Sequence, residues 1–186
     1  MGSPIKLASS TSLPGPIRAK VKLTQENVFE GLPLRCCAVI GTHIWGGEKD
    51  GTVSIRRLGE PTNVVTSIPH YNSIVAEGHV ADEFPWCIFQ SGRTAWIGYS
   101  SGTIRVYDLE HFHKHSAHDH ELREEHLAVQ KLESPFLVLA TLQEHKGGVY
   151  EISSFVERDG SKKIFSCSND FTVRAWDASN FQHLHM

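Results

Sequence analysis

The densest collection of ligating side chains in this 186-residue chain is the run EHFHKHSAHDHELREEHLAVQKLESP at 110–135. It holds six of the twelve histidines: His111, His113, His115, His118, His120 and His126. Neutral imidazole binds Zn, Cu and Ni. His111, His113 and His115 would share one face of a strand, and His111 and His115 one face of a helix. Clustered imidazoles also titrate near a pH of about 6.5. No cysteine lies nearby and no ligand geometry is defined, so the expectation is a solvated surface loop without bound metal. If a metal were held, His111, His113, His115, His118 and His120 would ligate it. The four cysteines, Cys36, Cys37, Cys87 and Cys167, contain no C-x-x-C pair, so neither a zinc knuckle nor a redox motif is signalled. Each sits in or beside an apolar segment and reads as a small core hydrophobe. The sequence contains no G-x-S-x-G, no G-x-x-x-x-G-K-[ST], no H-E-x-x-H and no G-x-G-x-x-G after a strand. Those patterns would mark a nucleophile elbow, a phosphate cradle, a zinc protease or a dinucleotide site. Glu48, Asp50 and Glu60 lie near turns and read as turn chemistry. The expectation is a chain without catalytic residues and without a cofactor.

The bulk properties narrow the field further. Net charge is −3, with 40% hydrophobic and 21% charged residues, the profile of a globular chain. That balance argues against nucleic acid as partner and against a membrane-surface footprint. No stretch approaches the roughly 18–20 apolar residues of a spanning helix. Residues 1–24 carry Lys6, Arg18, Lys20 and Lys22 and no acidic residue, which reads as a flexible basic arm. It has no apolar core like that of a secretory signal, and Pro4, Pro14 and Pro16 oppose an amphipathic targeting helix. A cytoplasmic location is expected.

Elements able to hold functional groups begin near residue 33. LRCCAVI, HIWGG, TVSIRRL, WCIFQ, TAWIGY, TIRVYDL, VYEISSFV, KIFSCS and TVRAWDA are short runs rich in Val, Ile, Thr and aromatics, separated by Gly, Asp, Asn and Ser. They predict strands joined by tight turns, hence antiparallel neighbours. The runs also repeat. THIWGGEKDGTVSIRRL (42–58) aligns with RTAWIGYSSGTIRVYDL (93–109) and KKIFSCSNDFTVRAWDA (162–178), at offsets of 51 and a further 69 residues. Trp45 falls on Trp96 and Phe165, and Thr52 on Thr103 and Thr172. Arg105 falls on Arg174; both read as solvated or inter-blade salt-bridged cations, with contact to an acidic partner as the alternative. An apolar strand precedes each copy, and a fourth strand is expected nearby. Residues 121–132 could form a short helix, with Leu122, Val129 and Leu132 as a weak stripe.

Repeats of this length built from short antiparallel strands are a signature of β-propeller blades. The third copy, EHKGGVYEISSF…KIFSCSNDFTVRAWD, resembles a WD repeat. That resemblance implies that His145, Ser166, Asp170 and Trp176 form the hydrogen-bond network that ties such a blade together. Glu144 stands where the family has glycine, Ser101 replaces the turn aspartate of the second copy, and the first ends in Arg56-Arg57. The fold expected is therefore all-β: antiparallel four-stranded blades of a WD-repeat-like β-propeller, incomplete in this chain. The expected organisation is a 1–24 arm, a partial propeller over 25–180, and a tail at 181–186. Repeats are expected near 33–60, 84–110 and 142–178, with a His-rich insertion at 110–135 between the second and third. Any further blade would have to lie near 59–80 or 111–140.

Propellers normally close with about four to eight blades. The chain is thus expected to be part of a larger protein, or an arc completed by another chain. The function class this implies is a non-catalytic interaction or scaffolding module whose partners are other proteins. The first two copies are also similar to the propeller region ahead of the catalytic domain in some inositol-polyphosphate or phosphoinositide 5-phosphatases. That alternative implies a catalytic domain outside these residues.

Overall fold

A computed structural model describes residues 34–74, 80–114 and 134–184. The basic arm at 1–24, the 121–132 segment, and His115, His118, His120 and His126 lie outside the described residues. Among the described residues the strands form three four-stranded antiparallel sheets and one two-stranded hairpin. The first sheet runs β1 (Leu34–Ile40), β2 (His43–Glu48), β3 (Val53–Arg57) and β4 (Glu60–Ile68). A hairpin follows, β5 (Tyr71–Ile74) and β6 (Val80–Glu83). The second sheet is β7 (Pro85–Ser91), β8 (Thr94–Tyr99), β9 (Ile104–Asp108) and β10 (Val138–Leu142). The third is β11 (Val149–Val156), β12 (Lys162–Ser168), β13 (Val173–Asp177) and β14 (His183–Leu184). Each sheet is a meander with the sequence-first strand at one edge, the strand order of a propeller blade. The all-β, partial-propeller architecture is the one the repeats imply.

Three boundaries differ from the sequence expectation. The outer strand of the second blade, β10, lies beyond the His-rich segment. The insertion therefore interrupts the second blade between its third and fourth strands, instead of separating two blades. Residues 59–80 supply β4 and strands of the β5–β6 hairpin, not a further blade. The 181–186 tail contributes β14, whose His183 and Leu184 pair with Trp176 and Ala175. A two-residue strand and the polar EPTNVVTSI of β4 are too short or too polar to show the alternation that marks a strand.

The alternation of β2, β8 and β12 puts large apolar side chains between the blades. Trp45, Val53 and Ile55 of the first sheet meet Ala95, Ile97, Tyr99 and Tyr107 of the second. Trp96, Ile104 and Val106 of the second meet Val149, Ile152, Ile164 and Trp176 of the third. Trp45 and Trp96 are both fully buried, and burial of a large apolar side chain contributes about 1.5–3 kcal/mol. Phe165, Val173 and Ala175 take the same places in the third sheet by strand register. There Val173 is 60% exposed, against 1% for Ile104.

The blades approach closely where β2 and β8 carry glycine. A Cβ at Gly47 would lie 2.6 Å from Cys36 Sγ and 2.7 Å from Pro85 Cγ; at Gly98 it would lie 2.6 Å from Cys87 Sγ and 2.7 Å from Val149 Cγ1. Beside them, Cys36 Sγ donates to Pro85 O at 3.6 Å and Cys87 Sγ to Val149 O at 3.4 Å, so the same thiol contact crosses both blade junctions. Burial pushes the Cys36 thiol up to about 11 and the Cys87 thiol to about 12. Cys37 departs from the core expectation: it is exposed, because alternation along β1 turns it to the face opposite Cys36.

Candidate functional site

The turns joining the second and third strands of each blade gather at one end and share one hydrogen-bond pattern. Gly51 N donates to Glu48 O, Gly102 N to Tyr99 O, and Phe171 N to Ser168 O. The fourth residue of each turn needs a left-handed backbone: φ is 93° at Gly51, 93° at Gly102 and 63° at Phe171. Glycine adopts that conformation without steric cost, whereas a bulky side chain there is an outlier. Phe171 is nonetheless 98% exposed. The other non-glycine residue with positive φ among the described residues, Phe181, packs edge-on to Trp96 at 5.7 Å.

The four residues singled out in the third repeat are brought together. His145 Nδ1 lies 2.9 Å from Asp170 Oδ2, His145 Nε2 lies 2.8 Å from Ser166 Oγ, and Trp176 Nε1 donates to Ser166 Oγ at 2.9 Å. A carboxylate only accepts and an indole N–H only donates. The bonds therefore run one way, from Trp176 to Ser166, from Ser166 to His145 Nε2, and from His145 Nδ1–H to Asp170. Thr172 Oγ1 donates to Asp170 Oδ1 at 2.6 Å, and Lys146 N to Asp170 Oδ2 at 2.8 Å. Burial raises the Asp170 pKa, but the bonds from Thr172, Lys146 and His145 outweigh it and hold the carboxyl well below its ordinary range. Asp, His and Ser meet in the order of a hydrolytic triad. Here Ser166 is 1% exposed and already accepts from Trp176, so its hydroxyl is closed to a substrate and the cluster ties β12, β13 and the 143–148 loop together.

The second blade solves the same problem with a residue the repeat alignment does not register. Glu83, at the end of β6, is fully buried. Its Oε1 accepts from Ser101 Oγ at 2.6 Å and Thr103 Oγ1 at 3.0 Å, and its Oε2 pairs with Arg105 Nη1 at 2.5 Å. The polarity is reversed relative to the third blade: the loop brings the carboxylate and the turn brings the donors. Ser101 is thus complemented, not degenerate. Arg105, for which the sequence offered a salt bridge or a partner contact, takes the salt bridge: it is turned inward, 11% exposed, with its guanidinium 4.6 Å from the Tyr99 ring centre. Burial opposes its charge, yet Glu83 and the two tyrosines hold its pKa above the ordinary value. Arg174 is 21% exposed, with Nη1 3.7 Å from Glu144 Oε2 and 3.4 Å from His183 Nε2. Neither arginine is a free surface cation. In the first blade Arg56 replaces the tryptophan position and pairs with Glu48 at 2.7 Å, its Nε donating to Ser54 Oγ at 3.2 Å.

Of the metal-binding candidates, His111 and His113 lie in the helical turn over residues 109–114 that Asp108 caps, its Oδ1 accepting from Glu110 N at 2.7 Å and His111 N at 3.2 Å. His111 Nε2 meets Ser134 O at 3.2 Å. Among the described residues no group of three or more His, Cys, Asp or Glu is placed to hold a metal ion. A shallow cavity of about 690 Å³ beside this turn is lined by Arg93, Glu110, His113 and Lys114. Its charges pair internally, Arg93 with Glu110 at 3.0 Å and Lys114 with Glu110 at 3.4 Å.

Comparison of the sequence with protein-family models and with curated proteins finds no match. Solved structures share the fold. U3-55K, a WD40 propeller protein, superposes with a TM-score of 0.56 at 17% identity, over 83% of this chain and 39% of that one. The computationally designed Ika4 protein gives 0.51 at 14% identity, over 83% of this chain and 72% of its own. A chain of the mitotic checkpoint complex gives 0.47 at 20% identity, over 78% and 34%. The chain thus has the fold of β-propeller blades and spans 39% of the length of U3-55K. Among the described residues no helix is long and apolar enough to cross a membrane.

Proposed function

We propose that this chain is a non-catalytic protein-interaction module of WD-repeat type, a scaffolding segment of a larger cytoplasmic protein. In this reading, partners dock on the end of the blades where the second-to-third-strand turns gather. The observation that carries it is Phe171. A non-glycine residue in the left-handed region costs about 1–2 kcal/mol, and the sister turns avoid that cost with Gly51 and Gly102. Phe181 offsets its strain by packing on Trp96; Phe171, at 98% exposure, has no such packing among the described residues. Backbone strain that local packing does not offset is characteristic of binding positions, and aromatic side chains dominate interface energetics. The exposed Phe155 and Val173, at 58% and 60%, support completion of the propeller over the third sheet, by further blades of the parent protein or by another chain.

Phe171→Gly separates the two roles. It should raise stability by about 0.5–1 kcal/mol, strain relief exceeding the added chain entropy, while weakening partner capture. Capture is read by photo-crosslinking from position 169 of the same turn in the parent protein, with position 158 as control. Unchanged capture, or a loss of stability, refutes the reading.

A further inference from the structure

In the second blade Thr94 Oγ1 accepts from Trp96 Nε1 at 2.9 Å, two residues back on the same face of β8. His43 holds that place in β2 of the first blade. There the Nε1–H of the fully buried Trp45 meets no acceptor among the described residues. The half-buried His43 ring lies edge-on to Phe112 instead, with ring centres 5.5 Å apart and planes at 83°. Phe112, 1% exposed, also meets Trp45 edge-on at 5.4 Å and stacks on Phe136 at 5.7 Å. An imidazole of the first blade thus covers one side of the ring that the helical turn over residues 109–114 sends into the blade junction.

The same turn joins the two ends of the His-rich segment. His111 Nε2 meets Ser134 O at 3.2 Å beside the Phe112–Phe136 stack. Whatever seats Phe112 against the first blade therefore also holds this neck together.

The charges around His43 set its response to acid. From β3, Arg57 is its partner in strand register, itself opposite Glu60 of β4. From the helical turn, His113 lies over the β1–β2 turn, where a Cβ at Gly41 would sit 3.7 Å from its Cε1. Glu110 and Lys114 of that turn pair at 3.4 Å, and Glu110 pairs with Arg93 at 3.0 Å. β1 and its turn bring the uncharged Ile40, Gly41 and Thr42, whose Oγ1 lies 3.3 Å from His43 Nδ1. Among the described residues no carboxylate pairs with His43. Burial first, then His113 and Arg57, hold its pKa below the ordinary imidazole value. The folded chain therefore takes up a proton at His43 less readily than the unfolded chain, and stability is lost as pH falls below about 6.5.

We infer that the His43–Phe112 seam is a pH-sensitive latch between the first and second blades: protonation of His43 in mild acid loosens the helical turn at 109–114 and releases the neck formed by His111, Phe112, Ser134 and Phe136. The latch lies away from the end at which partners are proposed to dock and stands independently of that reading.

The test is hydrogen exchange read by mass spectrometry on the full chain, from about pH 7.5 to about pH 5.5, corrected for the intrinsic pH dependence of exchange. EDTA is present throughout to keep metal off the imidazoles. Protection of residues 109–114 should fall about threefold or more across that range. His43→Thr places the second blade's residue beside Trp45 and should remove this dependence. His43→Gln, neutral at every pH, should do the same, and keeps the test decisive if His43→Thr lowers the unfolding midpoint at neutral pH. Arg57→Gln removes one facing cation and should make the fall smaller. Wild-type protection that does not change with pH overturns the inference. So does protection that rises in acid, the sign expected if the imidazolium is drawn to the Phe112 ring. A fall as large in His43→Thr and His43→Gln as in wild type also overturns it.

Discussion

Ser166→Ala is the most informative single change, because two buried groups depend on one hydroxyl. Trp176 Nε1–H loses its acceptor and His145 Nε2 loses its donor. Trp176 is 2% and His145 4% exposed, so water does not readily replace the lost partner. Each unsatisfied buried group costs about 1–3 kcal/mol. The two share one relay, so their sum is expected at about 2–4 kcal/mol, or a fall in Tm of about 5–15 °C for a chain of this length. The assay is urea unfolding followed by tryptophan fluorescence, with the exposed Ser154→Ala as a reference expected within about 0.5 kcal/mol of wild type. Trp176→Phe removes the same N–H from the other side. In that background Ser166→Ala should cost less, with a coupling of about 1 kcal/mol. A Ser166→Ala cost matching the Ser154 reference, or strict additivity with Trp176→Phe, would refute the relay.

Three further outcomes are expected. Because the Asp170 carboxyl is held below its ordinary pKa, its contribution is complete above the unfolded-state value and lost as pH falls below about 4. Asp170→Asn should therefore flatten the acid limb of stability against pH, and a limb as steep as wild type would count against it. Glu83→Gln leaves the Arg105 charge buried without its counter-ion and should cost about 3–5 kcal/mol by urea unfolding, with part of the loss recovered in Glu83→Gln/Arg105→Met. Iodoacetamide near neutral pH, followed by mass spectrometry, should modify the exposed Cys37 first and Cys87, whose thiol lies at about 12, last; a uniform rate at all four thiols would contradict the buried blade junctions.

The parts of this architecture visible in the sequence are those where one residue type recurs at one spacing. Trp45 and Trp96, the three turn threonines and the His145–Asp170 pair announce strands, turns and a polar tie because their chemistry is local or repeated. Glu83 escaped because it substitutes for a histidine with opposite polarity and sits in a hairpin without counterpart ahead of the third blade. Arg56 and Ser101 looked like losses from the pattern, and the partners that complete them, Glu48 and Glu83, are reached only through strand register. Arg105 and Arg174 looked alike in the alignment. Long-range packing gave one a buried carboxylate and the other a half-exposed site beside His183. The β-bulges that skip Arg35, Trp86 and Tyr150 in strand register leave no mark on composition, since a bulge is a property of the pairing and not of either strand.

Each blade closes on a different chemistry: arginine with glutamate in the first, glutamate with hydroxyls and arginine in the second, histidine with aspartate and serine in the third. Tandem repeats risk assembling with the strand of one copy seated in its neighbour. Were β3 to take the place of β13, Arg56 would arrive where Ser166 awaits an indole N–H. Were β13 to take the place of β9, Arg174 could meet Glu83, but Asp170 would fall beside that carboxylate in place of Ser101. Both misplacements set a charge against the wrong neighbour. The divergence that makes these copies hard to recognise as kin also gives each strand a single address.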